Sequence, residues 1–172
     1  MSQTGSSLHD STSNGLHATA QAGTSVQAGM MADARKYASG STDDVYVNDS
    51  NFLEGYTTFT IELWFEEGTY SGTFFLFQKS NVYDETISSS TQGQFDAQIG
   101  GSSVFCGYFS WNVGKWQDTA ISYDGSNLRD YLNGSVAATK SCTGTLGTSG
   151  WSLDIGRDNN LAYTSFDGLI DE

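Results

Sequence analysis

Trp116–Gly134 reads WQDTAISYDGSNLRDYLNG, two runs of alternating polarity that each close on a turn dipeptide. Ala120, Ser122 and Asp124 alternate with Ile121 and Tyr123. Leu128, Asp130 and Leu132 then alternate with Arg129 and Tyr131. A period of two marks a strand with one buried face. Asp124-Gly125 and Asn133-Gly134 accept positive φ at little cost, which makes such dipeptides the strongest short-range hairpin signals. The stretch is therefore expected to be an antiparallel meander.

Working outward, short apolar or alternating runs recur between turn signals from Ala34 onward. They cover Arg35–Ala38, Asp44–Val47, Phe59–Phe65, Thr73–Phe77, Phe95–Ile99, Val104–Phe109, Val136–Thr139, Trp151–Ile155 and Phe166–Ile170. Many short strands at this spacing indicate a two-sheet sandwich or jelly roll. The 20 Gly and absence of Pro agree, since turns then fall to Gly, Asn and Asp. Residues 51–54 suggest one helical turn, and no long amphipathic helix is present. In Phe59–Phe65, Phe59, Ile61, Leu63 and Phe65 take the core side, with Thr60, Glu62 and Trp64 opposite. Residues 1–29 are rich in Ser, Thr, Gly, Ala and Gln without sustained periodicity, and read as an extended arm or loop. Residues 30–172 form the expected single domain, for which 4 Trp, 9 Tyr and 10 Phe supply the core.

The meander, a later Leu153-Asp154-Ile155-Gly156, the run Phe59–Phe65 and the closing Phe166–Glu172 together resemble the bacterial laminin G-like domains of the concanavalin A-like lectin and glucanase superfamily. DSTSNGLHATAQAG and ADARKYASGSTDDVYV are similar to that family's opening loop and paired first strands, although Tyr37-Ala38-Ser39-Gly40 stands where Phe-Asp-Gly is usual. The resemblance implies an all-β, antiparallel jelly-roll sandwich and a setting outside the cell or at its surface. Because the chain ends in what should be mid-strand, it reads as a module of a larger protein.

Charge excludes some partners. With 20 acidic residues against 7 Lys plus Arg, a net charge of −13 repels phosphate backbones and anionic lipid. No nucleic acid is expected as a partner. No stretch approaches the roughly 20 apolar residues of a membrane span, and the N-terminus lacks a basic region followed by an apolar one.

Catalytic groups are scarce. His9 and His17 both lie in the arm, which disfavours Ser-His-Asp, Cys-His and His-rich zinc sites. Glu62 and Glu66 have the spacing of the paired acids of glucanases in the resembled superfamily, but Trp64 stands where those enzymes carry a central Asp. Positions i and i+4 on a regular strand are about 13 Å apart, whereas retaining glycosidases need ~5–5.5 Å between carboxyls. The expected catalytic set is therefore none.

Three binding chemistries remain. The resemblance implies a Ca²⁺ where first and last strands meet, carried onto Asp43 and Asp44 with Asp167 and Asp171, hard oxygen donors suited to that ion. Sugar binding calls for aromatic platforms beside planar polar groups, for which Tyr70, Tyr83, Trp111 and Tyr163, near Asn160 and other amides, are candidates. The alternative for each ring is that it caps an end of the sandwich. Cys106 and Cys142 read as a disulfide bridging strand ends or as two separately buried thiols, and the implied extracellular setting favours the bridge. The function expected is a non-catalytic recognition or adhesion module that binds carbohydrate, with a cell-surface protein as the next partner class. A glycoside hydrolase or lyase and a structural subunit of a surface filament or matrix are the alternatives.

Overall fold

The structure is a computed structural model that describes residues 6–171 apart from 22, 39–42, 49–50, 70–71, 90–91 and 159–164, with only the backbone at 52 and 89. Among these residues the chain forms fifteen strands, one 3₁₀ turn over Asn51–Leu53 and no α-helix. In chain order the strands are β1 Ser7–Leu8, β2 Ala18–Ala20, β3 Ser25–Ala28, β4 Asp33–Tyr37, β5 Val45–Val47, β6 Phe59–Glu67, β7 Phe74–Lys79 and β8 Tyr83–Ser89. They continue as β9 Gln92–Ile99, β10 Ser102–Ser110, β11 Gln117–Tyr123, β12 Asn127–Leu132, β13 Ser135–Ser141, β14 Leu153–Ile155 and β15 Gly168–Asp171.

Two antiparallel sheets stack face to face. One has eight strands in the order β1-β2-β5-β14-β7-β8-β9-β10, the other seven in the order β13-β12-β11-β6-β15-β4-β3. Consecutive strands repeatedly cross from one sheet to the other, the jelly-roll arrangement that the strand spacing predicts. The core lies between the sheets: Phe74, Leu76, Ile87 and Phe95 from the first face Phe65, Ile121 and Leu128 from the second, all fully buried. Truncating such a Phe to Ala costs about 3–5 kcal/mol through lost transfer energy and the cavity left.

The meander forms as its alternation dictates. β11 pairs with β12 from Thr119↔Leu132 to Tyr123↔Leu128, and β12 pairs with β13 beyond it. Asn133 and Gly134 both take positive φ, 50° and 71°, as a type I′ turn requires. At the other turn Asp124 Oδ1 accepts from the Ser126 and Asn127 backbone N–H groups at 2.9 and 2.7 Å, and Oδ2 pairs with Arg129 Nη1 at 2.6 Å. In β6, Leu63 and Phe65 are buried while Trp64 is half-buried on the other face, so the sequence register holds.

Within segment 1–29, which reads in the sequence as an extended arm or loop, β1 and β2 extend the eight-stranded sheet and β3 closes the seven-stranded one. Backbone ladder bonds, rather than an apolar period, fix these strands, with Ala18, Ala20 and Val26 as their few buried or half-buried anchors. β8 also lies outside the runs that the sequence marks as strands. Its inward residues are Tyr83, Glu85 and Ile87, and the inward Glu85 hides the alternation.

Candidate functional site

Strand register fixes which side chains share a face. Across the eight-stranded sheet the ladders align Tyr46, Asp154, Gln78, Asp84, Asp96 and Phe105 in one row. The neighbouring row, Lys79, Tyr83, Ala97 and Val104, is buried toward the core. Since side chains alternate, the first row faces outward. Gln98 and Ser103, also paired, join that outer face one step along the strands.

Here the outer face is hollowed into a cleft of about 450 Å³. Gln78, Asp84, Asp96, Gln98 and Ser103 line it, the turn after β7 bounds one side, and Trp151 forms a wall. Trp151 is 47% exposed, an indole held at the surface rather than in the core. Toward the sheet edge a second aromatic group, Phe105 and Tyr108, stands on the same face with ring centroids 5.0 Å apart.

The loop that presents Trp151 is held from beneath. Lys79 Nζ, fully buried, donates to the Trp151 carbonyl at 2.5 Å and lies 3.3 Å from Glu54 Oε2. That same carboxylate oxygen accepts from the Ser149 N–H at 2.8 Å. A buried pair of this kind contributes geometry more than net stability, but loss of one partner leaves an uncompensated charge.

The cleft acids are partly spoken for. Thr86 Oγ1 donates to Asp84 Oδ1 at 3.0 Å, and Gln94 Nε2 donates to Asp96 Oδ2 at 2.9 Å. Burial pushes Asp84 up to about 6 against the Thr86 hydrogen bond, with the Asp96 charge adding to the rise. Burial likewise raises Asp96. Each carboxyl keeps one oxygen for a ligand hydroxyl. The arrangement can hold a polyhydroxylated chain between aromatic faces and planar hydrogen-bonding groups.

The sequence candidates fare differently. Tyr83 and Trp111 are only 5% and 3% exposed. Tyr83 packs on Phe59 and Phe77, and Trp111 on Phe65. Both cap the sandwich with their rings packed in the core, although Tyr83 is also among the residues that line the cleft. Tyr70, Tyr163 and Asn160 lie outside the described residues.

The four acids proposed for calcium are not brought together. Asp43 accepts from the Ala38 N–H at 3.1 Å, while Asp44, pushed up to about 6 by burial and then by Asp154, lies within electrostatic reach of Arg157. Asp167 accepts from Thr69 Oγ1 at 2.6 Å and pairs with Lys36 Nζ at 3.4 Å. Asp171 accepts from the Met31 N–H at 2.9 Å. β5 and β15 belong to different sheets, and among the described residues no three His, Cys, Asp or Glu side chains group as metal ligands.

Cys106 and Cys142 are free thiols in the structure, so the bridge is not formed there. Cys106 Sγ turns to the Leu128 carbonyl at 3.5 Å and Cys142 Sγ to the Lys140 carbonyl at 3.7 Å, rather than to each other. Burial pushes the Cys106 thiol up to about 12. Glu62 and Glu66 sit on the outer face of the seven-stranded sheet. β6 pairs in unbroken register with β11 and β15, so no bulge draws the two carboxyls together.

Sequence reasoning missed three inward carboxyls. Glu85 Oε1 accepts from Thr119 Oγ1 at 2.8 Å, but Glu85 Oε2 and both oxygens of Asp130 and Glu67 are buried without a partner. Burial, then the Asp130 charge, raises Glu85 well above the usual carboxylate range. Burial lifts Asp130 to about 7, and Glu67 to about 7 with help from Asp167.

Solved structures share this architecture at low identity. The binding domain of Paraclostridial Mosquitocidal Protein 1 superposes with a TM-score of 0.69 at 12% identity, over 94% of this chain and 45% of that one. The binding domain of Botulinum Neurotoxin DC, solved in complex with SialylT, gives 0.65 at 17%, over 95% and 46%. Domain 4 of AbnA, a GH43 extracellular arabinanase from Geobacillus stearothermophilus, in complex with arabinotriose, gives 0.55 at 18%, over 86% and 72%. The chain thus spans about half the length of the two toxin binding domains. No curated protein matches it in sequence. The Laminin_G_3 family model matches residues 39–172, most of the chain and the strands β5 to β15, and the chain accordingly belongs to the concanavalin A-like lectin/glucanases superfamily.

Proposed function

We propose that this chain is a non-catalytic carbohydrate-binding module that acts outside the cell or at its surface within a larger secreted or surface protein. One observation carries the reading. The outer face of the eight-stranded sheet holds a cleft in which exposed Trp151 stands beside Gln78, Asp84, Asp96 and Gln98. An aromatic face matched to the apolar face of a sugar, with fixed planar groups to orient hydroxyls, is the physical requirement for saccharide recognition. The fold neighbours support it as a class, since two are binding domains of toxins and one was solved with arabinotriose. The wide separation of Glu62 and Glu66 on a regular strand supports a role without hydrolysis.

The test is a glycan array followed by calorimetry on each hit. The reading expects binding that Trp151→Ala removes or weakens at least tenfold, with no release of reducing sugar on long incubation. Binding unaffected by Trp151→Ala and by Gln78→Ala would contradict the site.

A further inference from the structure

The charge of the cleft narrows its ligand, an inference that rests on the carbohydrate-binding reading. None of its lining residues is Lys, Arg or His. Asp84 and Asp96 stand directly opposite each other on β8 and β9. Like charges directly opposite on paired strands destabilise a sheet. Here they lie at the floor of the cleft, where they project negative potential at whatever enters. The one buried ammonium nearby, Lys79, faces the other side of the sheet and is matched by Glu54. The net charge of −13 adds a repulsive long-range field.

Dimensions narrow it further. From Trp151, just before β14, to Phe105 on β10, the row crosses four strand spacings, about 19 Å at ~4.8 Å each. Aromatic side chains stand at both ends, with carboxylates and amides between them. A single sugar cannot touch both ends.

We propose that the cleft takes an uncharged oligosaccharide chain lying across the strands, and excludes saccharides that carry carboxylate or sulfate. Asp84 and Asp96 accept hydroxyl hydrogen bonds from neutral rings, and charge assistance makes those bonds stronger than neutral ones. The same carboxylates repel sialic acid, uronate and sulfate groups, so attraction to one class and repulsion of the other set the specificity together.

Matched probes test it on the whole chain: lactose with sialyllactose, mannotetraose with tetramannuronate, and galactotetraose with tetragalacturonate. Each is titrated by calorimetry at low and high salt, beside a ladder of neutral oligomers from one to six sugars. The neutral member of at least one pair should bind at least tenfold more tightly than its acidic partner. Affinity should rise along the ladder until the chain fills the row. Any residual binding of an acidic member should strengthen with salt, because screening relieves repulsion. Asp84→Asn with Asp96→Asn should weaken the neutral ligand about tenfold or more, while narrowing the gap to its acidic partner. Glu62→Gln, on the other sheet, should change neither.

Equal or tighter binding of the acidic members would overturn this inference and leave the carbohydrate-binding reading standing. So would affinity that stops rising after one sugar. If no saccharide binds, acidic or neutral, the broader reading fails and this one with it.

Discussion

Asp84 and Glu85 are neighbours on one strand and point to opposite faces of the eight-stranded sheet. Burial raises both carboxyls, yet their surroundings differ in kind. Asp84 opens onto a cleft where a ligand can reach it. Glu85 is sealed between the sheets against Thr119 and Asp130, where nothing from outside arrives. The same perturbation therefore has two consequences. In the core it makes stability depend on pH, and in the cleft it leaves an ionisable acceptor within reach of a ligand. A raised carboxyl marks function only where the geometry gives it access.

The largest effect should come from Lys79, which ties the two faces together. Lys79→Met keeps most of the packing but strands Glu54 as an unpaired buried charge, and unfolding in urea should show a loss of about 3–5 kcal/mol. Adding Glu54→Gln should recover much of that, because the cost lies in the orphaned charge rather than in the missing contact. If the double variant is as unstable as the single, packing dominates there.

Next comes the pH dependence of the core. Glu67, Glu85 and Asp130 have folded-state values above their unfolded ones, so the folded chain binds more protons between roughly pH 4 and 7. Their contribution is fully present below the unfolded values and is lost as pH rises through the folded ones, near 7 for Glu67 and Asp130. The melting temperature should thus be higher at pH 5 than at pH 8. For Glu67 alone the loss is on the order of 3 kcal/mol. Glu67→Gln should flatten part of the curve, and Glu85→Gln with Asp130→Asn should flatten more. Stability that rises from pH 5 to 8 would show these groups ionised at little cost.

A smaller effect separates the faces. Trp151→Ala should weaken saccharide binding about tenfold, ~1.4 kcal/mol, while shifting the melting temperature little, since the indole is half-exposed. Smallest of all, Glu66→Gln should alter neither binding nor stability measurably, as a half-exposed side chain on the outer face of the other sheet. A binding defect in that variant would move the site to the seven-stranded sheet.

The sandwich was legible because most of its strands bury apolar side chains at a period of two. β6, β11 and β12 show that pattern, and the turns after β11 and β12 close hairpins. β8 was not legible, since Glu85 occupies a core position and breaks the apolar period. Residues 7–28 were missed for the converse reason, as short strands fixed by ladder bonds need few apolar anchors. The cleft is invisible in one dimension. Gln78, Asp84 and Asp96 look like a solvated face until strand register places them in a row with each other. Trp151 reads in the sequence as the start of a strand, yet it precedes β14 and its carbonyl accepts from the Lys79 ammonium that pairs with Glu54. Tyr83 and Trp111 stand beside Asn81 and Asn112 in the sequence, and the structure uses both to fill the ends of the core.

The most direct test of a saccharide site on the outer face of the eight-stranded sheet is an amide and indole NMR titration of the whole chain with the tightest neutral oligosaccharide. The account predicts shifts confined to the Trp151 indole and to Gln78, Asp84, Asp96, Gln98 and their neighbours, with Trp64, Asp118 and Tyr131 on the outer face of the seven-stranded sheet unmoved. Shifts centred on those last three residues, or none at saturating ligand, would contradict it.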